Sequence, residues 1–229
     1  ALAPFGSEFA LIKFRVVVEI EWLLHLRDKA QLPELQRIDD AIAKDIALIA
    51  RDFALEDAEQ IKSIERTTNH DVKAVEYFIK KRLSALGHPG VTACLEFVHF
   101  GCTSEDINNL AHALMLKGAL NEVILPSLSS VRDRISSLGL EHRDLSMMAR
   151  THGQPASPTT LGKEMLNVVA RLDRQIAQLA SHPLLGKING AVGNFNAHVI
   201  AYPELDWPTI SQQFVESLGL TWKIGRAHV

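Results

Sequence analysis

The pattern that most constrains this chain is an apolar stripe at helical spacing that runs for about twenty residues. Leu161, Met165, Val168, Leu172, Ile176 and Leu179 fall at three- and four-residue steps and stop before Pro183. That period places them on one face of a helix, and a helix this long with one apolar face suits a bundle. The same period recurs along the chain. Residues 8–29 carry Leu11, Phe14, Val18, Trp22 and Leu26, and Pro33 ends that run. A second segment from about Glu34 to Phe53 carries Ile38, Ile42, Ile46 and Ile49. Val72, Val75, Ile79, Leu83 and Leu86 form a third stripe. Leu110, Leu114 and Ala119 begin a fourth, Pro126 marks a kink or a new start, and Leu128, Val131, Ile135 and Leu138 lead on toward Leu145. Few segments read as strands. The expected fold class is all-α, and these stripes are assigned to core packing rather than to chemistry.

The chain has 229 residues and is 47% apolar, enough for a sizeable core. A charged fraction of 22% and a net charge of -3 argue against a general nucleic-acid binder. Cys94 and Cys102 match no zinc or redox spacing and read as reduced thiols of a cytosolic protein. No apolar run reaches membrane-span length, so no membrane partner is expected. No charged-then-apolar leader opens the chain. The first residue is Ala1 rather than Met, which leaves export open.

Four polar stretches interrupt this background. Residues 150–156, Arg-Thr-His-Gly-Gln-Pro-Ala, lie just ahead of the long helix, and Ser157 and Pro158 stand in the preferred order for an N-cap and a first-turn proline. A helix N-terminus favours anions, and an imidazole exchanges protons near neutrality, so His152 is a candidate acid or base. The alternative is a turn whose histidine bonds the backbone. Residues 65–71 crowd Glu, Arg, Thr, Thr, Asn, His and Asp at a helix start, with Thr68 and Asp71 in a capping-box-like spacing. They read either as a solvated cap or as a polar pocket wall for an anionic ligand, with Asp71 able to orient His70. After the turn at 87–90 a domain boundary is expected near Val91. Thr103 and Ser104 can each cap the next helix, with Glu105 and Asp106 in its first turn. Their hydroxyls could equally hold a carboxylate. The glycine- and asparagine-rich stretch 185–198 lacks a P-loop ending, and fits either a tight connection or a close backbone approach to a ligand.

Four motifs in order then carry a resemblance. Glu-Arg-Thr-Thr-Asn-His-Asp-Val-Lys-Ala-Val-Glu-Tyr spans 65–77, and Cys-Thr-Ser-Glu-Asp-Ile-Asn-Asn spans 102–109. The 150–156 motif follows, then Lys-Ile-Asn-Gly-Ala-Val-Gly-Asn-Phe-Asn-Ala-His at 187–198. Together they resemble the adenylosuccinate lyase family of the bacterial long type, over about residues 7–222. The wider fumarase/aspartase superfamily shares the all-helical fold and the release of fumarate. Its equivalents of the 150–156 loop continue Thr-His-Leu-Gln rather than Thr-His-Gly-Gln-Pro-Ala, which favours the purine enzyme.

The resemblance implies β-elimination of fumarate from adenylosuccinate, giving AMP, and from succinylaminoimidazole carboxamide ribotide. A base removes a proton beside a carboxylate, the carbanion spreads into an aci-carboxylate, and a general acid protonates the leaving nitrogen. His152 matches the family's acid. Asn69, His70, Asp71, Thr103 and Ser104 match substrate-contacting positions. No metal and no organic cofactor is implied. The partners implied are a small-molecule nucleotide and further copies of the chain, as a cytoplasmic homotetramer whose sites draw on three subunits.

Family parts are missing from the sequence. The Gly-Arg-Tyr segment that contacts the substrate phosphate would lie before Ala1. The Ser-Ser and Met-Pro-Lys-Asn-Pro loop that carries the proposed base would lie beyond Val229. The chain is therefore expected to be a fragment: an N-terminal helical domain over 1–91 and the first part of the central bundle domain over 92–223. Residues 224–229 resemble a translated sequencing adapter and are expected to be a non-native tail, so His228 is given no role. The fragment alone is expected to be inactive, with uncovered apolar bundle faces. The alternatives are another fumarate-releasing lyase of the superfamily and a non-catalytic structural bundle protein.

Overall fold

The computed structural model describes residues 1–225. Two residues of the expected tail, Ile224 and Gly225, are therefore described, whereas 226–229, with His228, lie outside the described residues. In chain order the structure has α1 (Ala3–Gly6), α2 (Glu8–Asp28), a 3-10 turn at Pro33–Arg37, α3 (Asp40–Arg51), α4 (Leu55–Thr68), α5 (Asp71–Ala85), α6 (Pro89–Thr92) and a 3-10 turn at Leu95–Phe97. Then follow α7 (Ser104–Ala119), a π-helical turn at Leu120–Ile124, α8 (Leu125–Glu141), strands β1 (Ser146–Thr151) and β2 (Gln154–Thr160), and α9 (Leu161–Ser181). Strand β3 (Leu185–Gly186), α10 (Asn196–Ala201), α11 (Trp207–Ser217) and β4 (Thr221–Trp222) complete it. The described chain forms two compact units. One comprises 1–117 with the residues from 183 onward, the other 118–182. The boundary expected near Val91 falls inside the first unit.

In the first unit α2 is buried on most of its circumference, not only along the expected stripe. Ile12, Val16, Ile20 and Leu23 are buried beside Val18, Trp22 and Leu26. A helix that is apolar nearly all round belongs in a core. Phe78, Phe214, Leu35 and Ile46 are fully buried with it, each contributing about 1.5–3 kcal/mol of transfer free energy. Ile38 is buried as expected but stands outside the helix, because Asp39 caps α3 by accepting the Ile42 N–H at 2.9 Å. A short parallel pair, Leu185 with Thr221 and Gly186 with Trp222, ties β3 to β4.

The second unit is α8 and α9 joined by the β1–β2 hairpin. The two helices meet at glycines: a Cβ on Gly162 would stand 2.3 Å from the Gly139 carbonyl oxygen and 2.5 Å from Arg143 Cα. The α9 stripe is less buried than expected. Of its residues Gly162 and Val169 are buried, Val168 is exposed, and Leu161, Met165, Leu172, Ile176 and Leu179 are half-buried. Two helices alone cannot enclose an apolar face. The helix also starts later than expected. Ser157 and Pro158 lie in β2, and Thr160 is the N-cap, accepting the Lys163 N–H at 3.1 Å.

Candidate active site

The first cluster forms where α4 hands over to α5. Asn69 ends α4 in the left-handed conformation (φ 51°), its N–H on the Glu65 carbonyl at 2.8 Å. Thr68 is thus the last residue of α4, not an N-cap. The cap of α5 is His70, whose Nδ1 accepts the Lys73 N–H at 3.2 Å. With Nδ1 used as an acceptor, the neutral ring carries its proton on Nε2, which faces Ser104 Oγ at 3.5 Å. Asp71 does not orient His70 here. Its Oδ1 lies 3.7 Å from Nδ1 and accepts its neighbour Val72 N–H at 2.8 Å, while Oδ2 takes the Arg15 guanidinium at 2.6 Å. Burial pushes the Asp71 carboxyl up, but the Val72 N–H and Arg15 outweigh it and hold the group below the ordinary carboxylate range. Arg15 reaches a third element, donating from Nε to Asn108 Oδ1 at 2.8 Å.

The second cluster is the start of α7, and its organiser is Asp106. Sequence spacing makes Asp106 a first-turn acid; the structure buries it completely. Oδ2 accepts the Thr103 N–H at 2.9 Å, the helix-capping part of its role, and the Gly190 N–H at 3.0 Å. Oδ1 accepts Lys187 Nζ at 2.8 Å and the Asn189 N–H at 3.0 Å. Asn109 pairs with the same loop, accepting the Lys187 N–H at 2.9 Å and donating to the Lys187 carbonyl at 3.0 Å. The glycine-rich stretch is therefore a connection that grips α7 through its backbone. This grip fixes the turn that presents Thr103 and Ser104. Among the described residues nothing engages the Thr103 hydroxyl. Asn69, with Lys62, Glu65 and Arg66, lines a hollow of about 300 Å³ beside the first cluster.

His152 belongs to the second unit, where its surroundings are not the expected loop at a helix N-terminus. Thr151 and Gln154 close a two-residue hairpin, and His152 and Gly153 between them both take left-handed angles, φ 51° and 73°. Two successive positive φ values are the hairpin turn that matches strand twist. The imidazole is exposed at the tip, with Thr151 Oγ1 at 3.0 Å from Nδ1. Met147, Met148, Arg150, Gly153 and Pro155 line a hollow of about 510 Å³ along this hairpin. The structure thus brings together Asn69, His70, Asp71, Thr103 and Ser104 in one unit and sets His152 at the tip of the other.

Sequence reasoning missed Arg15 and Asp106 as the groups that hold these side chains. Arg15 and Glu19 lie in a helix read as pure core, yet each is buried, at 6% and 1% exposure. Charges embedded in an apolar run are the signal, because buried charges need partners. Among the described residues no group of three or more His, Cys, Asp or Glu could hold a metal ion, and no helix is long and apolar enough to cross a membrane.

A family model described as Lyase matches residues 9–225. The chain belongs to the lyase family. Adenylosuccinate lyase of Escherichia coli (strain K12) is 54% identical to this lyase-family chain over 223 residues, covering 97% of the chain and 48% of that protein. Adenylosuccinate lyase of Haemophilus influenzae (strain ATCC 51907 / DSM 11121 / KW20 / Rd) is 52% identical, covering 94% and 47%. The chain spans about half the length of the curated relatives it matches. Among solved structures, a fumarate lyase from Mesorhizobium sp. BNC1 matches with a TM-score of 0.76 at 22% identity, covering 96% of this chain and 48% of that one. The β-carboxy-cis,cis-muconate cycloisomerase from Acinetobacter calcoaceticus sp. ADP1 also gives 0.76, at 18% identity, covering 99% and 50%. These likenesses bear out the predominantly helical fold expected from the stripes.

Proposed function

We propose that the chain is part of an adenylosuccinate lyase that eliminates fumarate from adenylosuccinate and from succinylaminoimidazole carboxamide ribotide in purine biosynthesis. The observation that carries the reading is the meeting of two polar helix starts, with His70 Nε2 at 3.5 Å from Ser104 Oγ, inside a sequence 54% identical to an adenylosuccinate lyase. Both helix starts offer donors, and a dianionic succinyl group needs donors. In this reading Asn69, His70, Thr103 and Ser104 bind the substrate, and Asp71 orders the α5 start through Arg15. His152 is the general acid that protonates the leaving nitrogen. The base is assigned to no residue of this chain.

The reading also takes the protein to be a cytoplasmic homotetramer. Val131, Leu140, Met148 and Val168 of the second unit are 53%, 59%, 49% and 44% exposed, and such apolar surface favours cover by further helices. The test is a chimera in which residues 7–223 replace the matching segment of the Escherichia coli relative. Fumarate release from adenylosuccinate is the expected result. A folded, tetrameric chimera that releases fumarate from argininosuccinate, or from no substrate, would overturn the assignment.

A further inference from the structure

We infer that Glu19 is a positioning residue for His99: its buried carboxylate holds the Nδ1 proton and leaves Nε2 as the nitrogen that gains and loses a proton. The geometry begins on α2, where Arg15 and Glu19 stand one helical turn apart on a buried face. Arg15 reaches Asp71, and Glu19 reaches the turn before α7, with Oε1 at 2.6 Å from His99 Nδ1. A carboxylate has no proton to offer, so a contact this short requires the proton on Nδ1. The Glu19 side chain is 0% exposed while that of His99 is 18% exposed.

The charges around the pair leave Glu19 to His99. Lys73 and Glu76 of α5 are the other charged groups that act on the ring. Glu76 is already neutralised, by Lys73 at 2.8 Å and Lys80 at 3.0 Å. Glu19 Oε2 is buried with no hydrogen-bond partner among the described residues. A buried anion so placed is costly unless its one partner becomes a cation. Burial lowers the proton affinity of His99, and the Glu19 hydrogen bond and charge more than reverse it, so the ring stays protonated to higher pH than an ordinary histidine. His99 also holds φ 64°, a conformation that costs a non-glycine residue and persists where surroundings impose it.

His99 lies four residues before Thr103, on the turn that presents Thr103 and Ser104. The pair therefore places a titratable group on the turn that leads into α7. Its use in catalysis rests on the lyase reading, whereas the pairing does not. His70 is held the opposite way, with Nδ1 as acceptor, so the two histidines should differ in tautomer.

Nitrogen-15 spectra of the histidine-labelled chain, recorded from about pH 5 to about pH 9, test the inference, with His99 identified by its loss in His99→Gln. The expected result is a His99 ring protonated on Nδ1 throughout, with Nε2 titrating at a midpoint above 6.5. A neutral His99 carrying its proton on Nε2 would overturn it. Glu19→Gln should lower the midpoint by a unit or more, about a tenfold loss of proton affinity, and Glu19→Asp should recover part. An unchanged midpoint in folded Glu19→Gln would also overturn it, and if that variant does not fold the wild-type spectra decide. No substrate is present, so the result stands apart from the outcome of the chimera assay.

Discussion

Asp106 and Lys187 are 81 residues apart in sequence and form a buried ion pair of 2.8 Å. The aspartate side chain is 0% exposed and the lysine side chain 9%. Their contact joins the first turn of α7 to the connection after β3. The position of Thr103 and Ser104 depends on that joint, because Asp106 also holds the Thr103 N–H.

Removing the aspartate charge should therefore loosen the site and the fold together. Asp106→Asn leaves Lys187 buried without its anion, a change that costs about 3–5 kcal/mol for a buried pair. The tryptophans of the chain, Trp22, Trp207 and Trp222, all stand in the first unit, so denaturation followed by their fluorescence reads this unit. Asp106→Asn combined with Lys187→Met should recover part of the loss. A single variant as stable as the parent would show that the pair contributes no net stability.

The joint also explains what the sequence could and could not disclose. Helical periodicity revealed the stripes of α2, α3, α5 and α9, because a 3.6-residue repeat is local. Asp106 looked like an ordinary first-turn acid, since its partners Lys187, Asn189 and Gly190 are local to nothing around it. Helix α4 shows no stripe in the sequence because Ala58 and Ile61, with the charged Asp57, are its buried residues, too few for one. Without a stripe to mark α4, Thr68 resembles the start of α5 rather than the end of α4. The hairpin was hidden by Pro155 and Pro158, which break strand alternation, although His-Gly between paired strands is a turn signal. Of the candidate site, Asn69, His70, Asp71, Thr103 and Ser104 stand out in the sequence through their motifs, whereas Arg15 as the holder of Asp71 does not.

A second expected outcome concerns acid. His198 is 1% exposed, and neither ring nitrogen has a hydrogen-bond partner among the described residues. Trp207 lies 4.8 Å from it between ring centroids, and Phe100, Phe195 and Trp22 enclose it further. Burial pushes its pKa down from 6.5 to about 4. The unfolded chain thus binds a proton between these values that the folded chain refuses. Stability is complete above pH 6.5 and falls as the pH drops toward 4, by about 3 kcal/mol from this group. His198→Leu should flatten the dependence in that window. Urea midpoints at several pH values measure it, and an equal acid slope in parent and variant would contradict the assignment.

The last prediction separates the shape of the hairpin from the chemistry of its tip. His152 occupies a left-handed position followed by Gly153, also left-handed. Asn is among the residues best suited to that first position, and Asn-Gly is the strongest signal for this turn. His152→Asn should therefore keep the β1–β2 register, including Thr151 opposite Gln154. Amide chemical shifts across 146–160 would show this. Asn cannot take up or release a proton near neutrality, so in the chimera the same change should lower kcat by about 10²–10⁴-fold, the usual contribution of a general acid. A fall in KM-controlled binding alone, with kcat intact, would make His152 a substrate ligand and leave the acid to another residue. A distorted hairpin would show instead that the imidazole contact with Thr151 Oγ1 shapes the turn.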